Sequence, residues 1–138
     1  MKKILLGILL IISILIISGC KSDKKENKTM KVVIDNKEYR VILEDNETVD
    51  ELLDLLPKSY VMKDLNDNEK YTYMEESLKI NPVNPKKINK GDIMLFGDNC
   101  LVIFYKSFIT SYSYTKIGHI DNLEDLGEGN INVKLIKN

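Results

Sequence analysis

The chain has no tryptophan, no alanine and no glutamine, and among its 138 residues it has one arginine, Arg40, one histidine, His119, and two cysteines, Cys20 and Cys100. Each shortage excludes something. A single histidine and two widely spaced cysteines do not make the clustered nitrogen and sulfur ligands of a zinc site. No glycine-rich loop opens a helix after a strand, so no phosphate cradle is present and no cofactor is expected. Charge of one sign is missing too: Lys+Arg 20 against Asp+Glu 21 leaves a formal net charge of −1, which is no footprint for nucleic acid. Lysine, asparagine and isoleucine are abundant, a bias of the kind an AT-rich genome imposes, so single residues of these types carry little weight. The length suits one domain with a core of ordinary size.

One long hydrophobic run is present, and it lies at the N-terminus. Lys2 and Lys3 precede an almost unbroken apolar stretch over residues 4–17, followed by Ile17-Ser18-Gly19-Cys20. This is the layout of a secretory signal peptide, and its last four residues resemble the bacterial lipobox. That resemblance implies a diacylglyceryl thioether on Cys20, which becomes the first residue after cleavage. The run is short for a membrane span, which needs about 20 apolar residues. Residues 21–29 are charged, lack apolar side chains and read as a solvated spacer. The expected organisation is therefore a signal peptide over 1–19, a lipidated cysteine and flexible tether over 20–30, and a folded domain over 31–138. The protein is expected on the extracytoplasmic face of a bacterial cell membrane, held by lipid. Without its leader the chain keeps 18 basic and 21 acidic side chains. A lipidated Cys20 leaves Cys100 with no intrachain partner, as a small buried hydrophobe in a strand.

Beyond the tether, short runs of β-formers alternate with turn residues. Residues 31–34 and 39–43 read as a hairpin, with Asn36 suited to its turn. Thr48 and Glu51 have capping-box spacing. Val49, Leu52, Leu53 and Leu56 form one apolar stripe, which predicts a short amphipathic helix over about 49–56, stopped by Pro57. Further strands are expected over 60–65, 71–74, 93–96, 100–105, 114–120 and 130–136, with 100–105 apolar enough to be buried on both faces. Residues 81–85, with Pro82 and Pro85, read as a rigid irregular connection. Residues 123–126 are at most a second helical turn. Many short strands, frequent turns and one helix predict a mainly β fold closed into a barrel.

Three segments carry a resemblance to a known family: Gly-Asp-Ile-Met-Leu-Phe-Gly over 91–97, Leu-Val-Ile-Phe-Tyr-Lys-Ser-Phe over 101–108, and Thr-Ser-Tyr-Ser-Tyr-Thr-Lys-Ile-Gly over 110–118. Together they resemble the cyclophilin-like domain of small secreted or lipid-anchored bacterial proteins. The resemblance covers roughly residues 30–136 and implies a closed cyclophilin-like β-barrel with a helix capping one end. In catalytic cyclophilins an arginine steadies the twisted amide, and glutamine and histidine side chains help to hold the proline ring. Here Arg40 falls in the second hairpin strand, away from where the family would place the catalytic arginine, and there is no glutamine. The resemblance therefore implies a non-catalytic module binding a peptide or small ligand, ahead of a weak prolyl isomerase. Relatives of the domain occur beside flavodoxin-like proteins, so a redox protein is a third candidate partner.

A barrel of this family keeps a shallow groove on one outer face. Phe104, Tyr105, Ser107, Phe108, Thr110, Ser111, Tyr112 and Tyr114 alternate rings with hydroxyls, giving contact area at low entropy cost together with orienting hydrogen bonds. Strand pairing as in the family would bring Met62, Tyr71 and Asn99 to the same border. No catalytic residue and no metal ligand is assigned. The stretch over 64–69, with Glu75 at the twelfth position, imitates the spacing of a calcium loop. Glu69 stands where that loop needs glycine, however, and its flanks read as strands, so it is expected to be a polar hairpin loop. His119, without a second ligand or a catalytic serine motif, is expected to be structural or exposed.

Overall fold

A computed structural model describes residue 19 and residues 26–138. The signal peptide run, Cys20 and most of the tether lie outside the described residues. Ten strands and one helix follow in the order β1 (Thr29–Ile34), β2 (Lys37–Leu43), α1 (Glu47–Leu55), β3 (Lys58–Leu65), β4 (Glu69–Tyr73), β5 (Lys87–Ile88), β6 (Asp92–Phe96), β7 (Cys100–Phe104), β8 (Phe108–Ile109), β9 (Thr115–Ile120) and β10 (Ile131–Lys137). Eight of these close into a ring, β1-β10-β3-β4-β7-β6-β9-β2, while β5 and β8 form a separate two-stranded sheet. Every neighbouring pair in the ring is antiparallel. The mainly β barrel with one short helix is thus the observed architecture. Among the described residues no helix is long and apolar enough to cross a membrane.

Alternation decides which side chains fill the barrel. Met30, Val32 and Ile34 of β1, Tyr39, Val41 and Leu43 of β2, and Ile131, Val133 and Leu135 of β10 all point inward and are buried. The β1–β2 turn places Asp35 and Asn36 at φ 43° and 72°, the two-residue primed geometry that matches the twist of its strands. β1 begins at Thr29, and Met30 is fully buried, so the fold starts two residues before the sequence pattern suggests. Two close approaches demand glycine. A Cβ on Gly118 would lie 2.5 Å from the Ile42 carbonyl oxygen, and one on Gly91 would lie 2.3 Å from that of Ile120. Between β6 and β9 the register shifts at Ile93/Met94, leaving Ile117 as the extra residue of a bulge.

The helix plugs one end, with Val49 and Leu52 fully buried in the barrel core. Its cap differs from the sequence expectation. Asn46, not Thr48, is the N-cap, its side-chain oxygen accepting from the Val49 amide at 2.9 Å. Thr48 already sits in the first turn, donating its hydroxyl to the Lys79 carbonyl at 2.6 Å, while Glu51 accepts from the Lys79 amide at 2.7 Å. The apparent capping box therefore fastens the helix to the segment after β4. Residues 123–126 form no helix, because Leu123 is drawn into the core as an anchor for irregular chain.

Candidate functional site

The site stands on the outer face of three neighbouring strands, β4, β7 and β6. Along β4 the outward residues are Glu69, Tyr71 and Tyr73, whose partners on β7 are Phe104, Val102 and Cys100. Met94 and Phe96 of β6 continue the same face beside Val102 and Cys100. The opposite faces of β7 and β6 carry Leu101, Ile103, Ile93 and Leu95 into the barrel core, so β7 is buried on both sides as its composition requires. Ile88 of β5 and Phe108 of β8 fold over part of the outer face. With Met94, Cys100, Val102, Phe104 and Tyr114 they make a second apolar cluster outside the ring. Val83 and Tyr114 exchange backbone hydrogen bonds of 2.9 Å, which anchors the proline-rich connection to the segment between β8 and β9.

What remains uncovered is a groove of about 490 Å³, running from the β3–β4 turn at Leu65, Asn66 and Asn68 to Tyr73 and Phe96 at its other end. Rings supply much of its wall. Phe96 meets Tyr112 edge-on at 6.0 Å and Tyr114 at 5.7 Å, while Phe104 beneath meets Tyr114 at 5.5 Å and Phe108 at 5.7 Å. These offset and edge-to-face arrangements are the favoured ones for aromatic quadrupoles. Thr110 is buried and accepts from the Tyr112 amide at 3.1 Å, which fixes the loop carrying both tyrosines. Burial raises the Tyr114 hydroxyl above its ordinary range. It also raises the Cys100 thiol, with help from the Glu69 charge, which keeps that sulfur protonated and inert.

Of the sequence-derived candidates, Tyr71, Phe108, Thr110, Ser111, Tyr112 and Tyr114 line this groove. Phe104 is one layer deeper, fully buried under Phe108 and Tyr114. Met62 and Tyr105 point into the barrel instead, because their strand parity puts them inward. Asn99 lies in the β6–β7 turn with its amide donated to the Met74 carbonyl, and the Ser107 hydroxyl accepts from the Lys90 amide; neither lines the groove. Residues 65, 66, 68, 69, 73, 96, 100, 102 and 109 complete the lining and were not singled out as groove residues. Glu69 was the readable signal among them. It is an acid placed where a tight turn wanted glycine, and the strand parity of Tyr71 carries it onto the groove face.

The stretch that imitates a calcium loop is the β3–β4 turn, with Asn66 and Asp67 at φ 54° and 53°. Two of its carboxylates, Asp64 and Asp67, are already engaged. The Asp64 carboxylate takes the Lys70 ammonium at 2.8 Å and the Tyr105 hydroxyl at 2.6 Å, and Asp67 takes Lys106 at 3.0 Å. Burial opposes ionisation of Asp64, but Lys70 and Tyr105 together outweigh it and hold the carboxyl below its usual range. Tyr105 is pushed strongly upward by burial and by these two carboxylates. Lys70 also donates to the Gly127 and Gly129 carbonyls, tying the last loop to the turn. His119 sits on the β6–β9 pair, its Nδ1 3.0 Å from Asp92, and serves the strand pairing.

The profile of the cyclophilin-like family matches residues 32–136. The chain belongs to the cyclophilin-like family. Among solved structures, the hypothetical protein AF2241 from Archaeoglobus fulgidus is similar to it, with a TM-score of 0.56 and 18% identity over 81% of this chain and 95% of that one. That likeness is one of fold. No curated protein sequence matches the chain. Within this cyclophilin-like barrel Arg40 is an exposed residue of β2, the strand diametrically opposite β4 in the ring of eight.

Proposed function

We propose that the chain is a membrane-anchored extracytoplasmic lipoprotein whose cyclophilin-like barrel binds a peptide or small ligand without turning it over. The observation that carries the binding half is the groove on β4, β7 and β6. Five of its lining residues, Leu65, Tyr73, Phe96, Ile109 and Tyr112, are large apolar side chains left exposed to solvent. A contiguous apolar patch of this kind, rimmed by asparagine, serine and threonine, marks an interaction site more often than bare surface does. The non-catalytic half is supported by Arg40, which is on the wrong side of the barrel to reach a bound amide. The anchoring half is supported by the positive start, apolar run and Cys20 of the sequence. A weak prolyl isomerase remains the alternative reading.

An amide NMR titration with an X-Pro peptide tests the binding reading, with an exchange spectrum recorded for cis/trans interconversion. Shifts confined to groove amides such as Tyr71 and Tyr112, with no acceleration of isomer exchange, are expected. Exchange cross-peaks between the two isomers would make it an isomerase instead. Cys20→Ser, followed by membrane fractionation and mass measurement of the N-terminal peptide, tests the anchor. Release of the variant from the membrane and loss of the lipid mass are expected.

A further inference from the structure

Resting on that reading of the groove, we infer that its occupant is a peptide segment presenting a lysine or arginine side chain, whose charged head lies against Glu69 and Asn68. Glu69 is the groove's one carboxylate, and no lysine, arginine or histidine lines it. Among the described residues no hydrogen-bond donor or cation is paired with the Glu69 side chain, although every other carboxylate of that turn is engaged. Burial, with the Asp64 charge behind it, pushes its carboxyl above the ordinary range. Beside it in the chain, the Asn68 side-chain oxygen is buried and has no hydrogen-bond partner. Buried acceptors left open are uncommon and ask for a donor.

An unpaired carboxylate at one end of an aromatic trough, with the unpartnered Asn68 oxygen beside it in the chain, defines what can satisfy it. A ligand hydroxyl brings one donor and a carbonyl brings none, whereas an ammonium brings three and a guanidinium five. Tyrosine and phenylalanine faces attract cations. The aliphatic stem of lysine or arginine suits a wall of Tyr71, Val102 and Tyr114, because such side chains cover apolar surface while their charge stays with polar partners.

The length of the trough separates a peptide from a free amine. From Glu69 to Tyr73 it follows four strand intervals, about 13 Å, longer than a lysine stem. Its far rim is also exposed: Tyr73 is 68% and Tyr112 62% accessible. An alkylammonium ion covers the Glu69 end and leaves these side chains bare. A residue neighbouring the basic one in an extended peptide reaches them.

The test uses the full chain in detergent, titrated calorimetrically with three probes: a blocked pentapeptide centred on lysine, its norleucine counterpart, and n-butylammonium. The lysine peptide is expected to bind at least tenfold more tightly than the norleucine peptide. Glu69→Gln should bring the lysine peptide down to the affinity of the norleucine peptide, with a cooperative thermal melt showing that the variant is folded. A lysine preference that survives the substitution would overturn the inference. Equal binding of the lysine and norleucine peptides would overturn the basic-residue inference and leave the binding reading standing. Butylammonium binding as tightly as the lysine peptide would overturn the peptide as occupant. If no probe binds, both the inference and the binding reading fail.

Discussion

Lys70 has a side chain with no exposed surface, yet its ammonium is fully employed by Asp64 and by two glycine carbonyls of the closing loop. Burying such a charge is costly unless every donor is met, and leaving its acceptors without a donor costs about 1–3 kcal/mol. Lys70→Met is therefore expected to lower the free energy of unfolding in urea by an amount of that order. Tyr60 is the opposite case: its hydroxyl is buried and meets nothing. Tyr60→Phe removes an unsatisfied group, so denaturant unfolding should show stability unchanged or raised by up to about 1 kcal/mol. Glu69 gives a third, pH-dependent case. Its folded pKa is raised, so the folded state holds the proton more tightly than the unfolded chain does, and the ionised form weighs against folding at neutral pH. Glu69→Gln should be more stable than the parent at pH 7. That advantage should shrink as pH falls through the raised value and vanish below the ordinary carboxylate range, as thermal melts across pH would show. Asp64 has the reverse sign: its contribution is present above the ordinary carboxylate range and is lost as pH falls through its lowered value. Lys70 and Asp64 could not be read as a pair from the sequence. Their meeting depends on a turn geometry that brings residues 64 and 70 opposite each other in the β3–β4 register.

Strands were legible because their alternation is a local property: 31–34, 39–43 and 130–136 each declare an apolar face without reference to the rest of the chain. The β5–β8 pair was not. Lys87–Ile88 and Phe108–Ile109 are two residues each, too short for any periodicity, and they exist because the outer face of β7 needs a cover. The same lack of context explains the groove assignments. The aromatic run over 104–114 was plain, but only the ring closure decides that Tyr105 faces the core and Tyr112 the solvent. At the helix the cap is Asn46, two residues before Thr48, while Thr48 and Glu51 are occupied by the backbone of Lys79. Asn46 also donates to the Lys116 carbonyl at 2.8 Å, tying the cap to the start of β9. Asn46→Ala should cost about 1 kcal/mol in denaturant unfolding. Thr48→Ala should instead loosen the segment after β4, read as faster amide exchange at Lys79 and its neighbours.

At the level of the whole molecule, the ring joins one face to two purposes. The inside is an ordinary apolar core, and the outside of β4, β7 and β6 carries the second apolar cluster and the groove. The seam of the ring is the pairing of β1 with β10, where Met30 meets Lys137 about a hundred residues further along the chain. β10 lies between β1 and β3 and hydrogen-bonds to both. A chain cut before Ile131 should therefore be protease-sensitive and aggregate, and a synthetic peptide of residues 131–137 added to it should restore protection. If the truncated chain resists protease without the peptide, the seam is not what holds the ring.

The position of that strand sets a timetable. Synthesis runs from the N-terminus, so β1 and β3 emerge well before β10 and wait for it, each with an open edge. Until Ile131–Lys137 arrives the nascent protein is an unclosed sheet, and afterwards it is a ring. The strand that completes the barrel thereby also sets how long two bare edges stand open to a wrong neighbour.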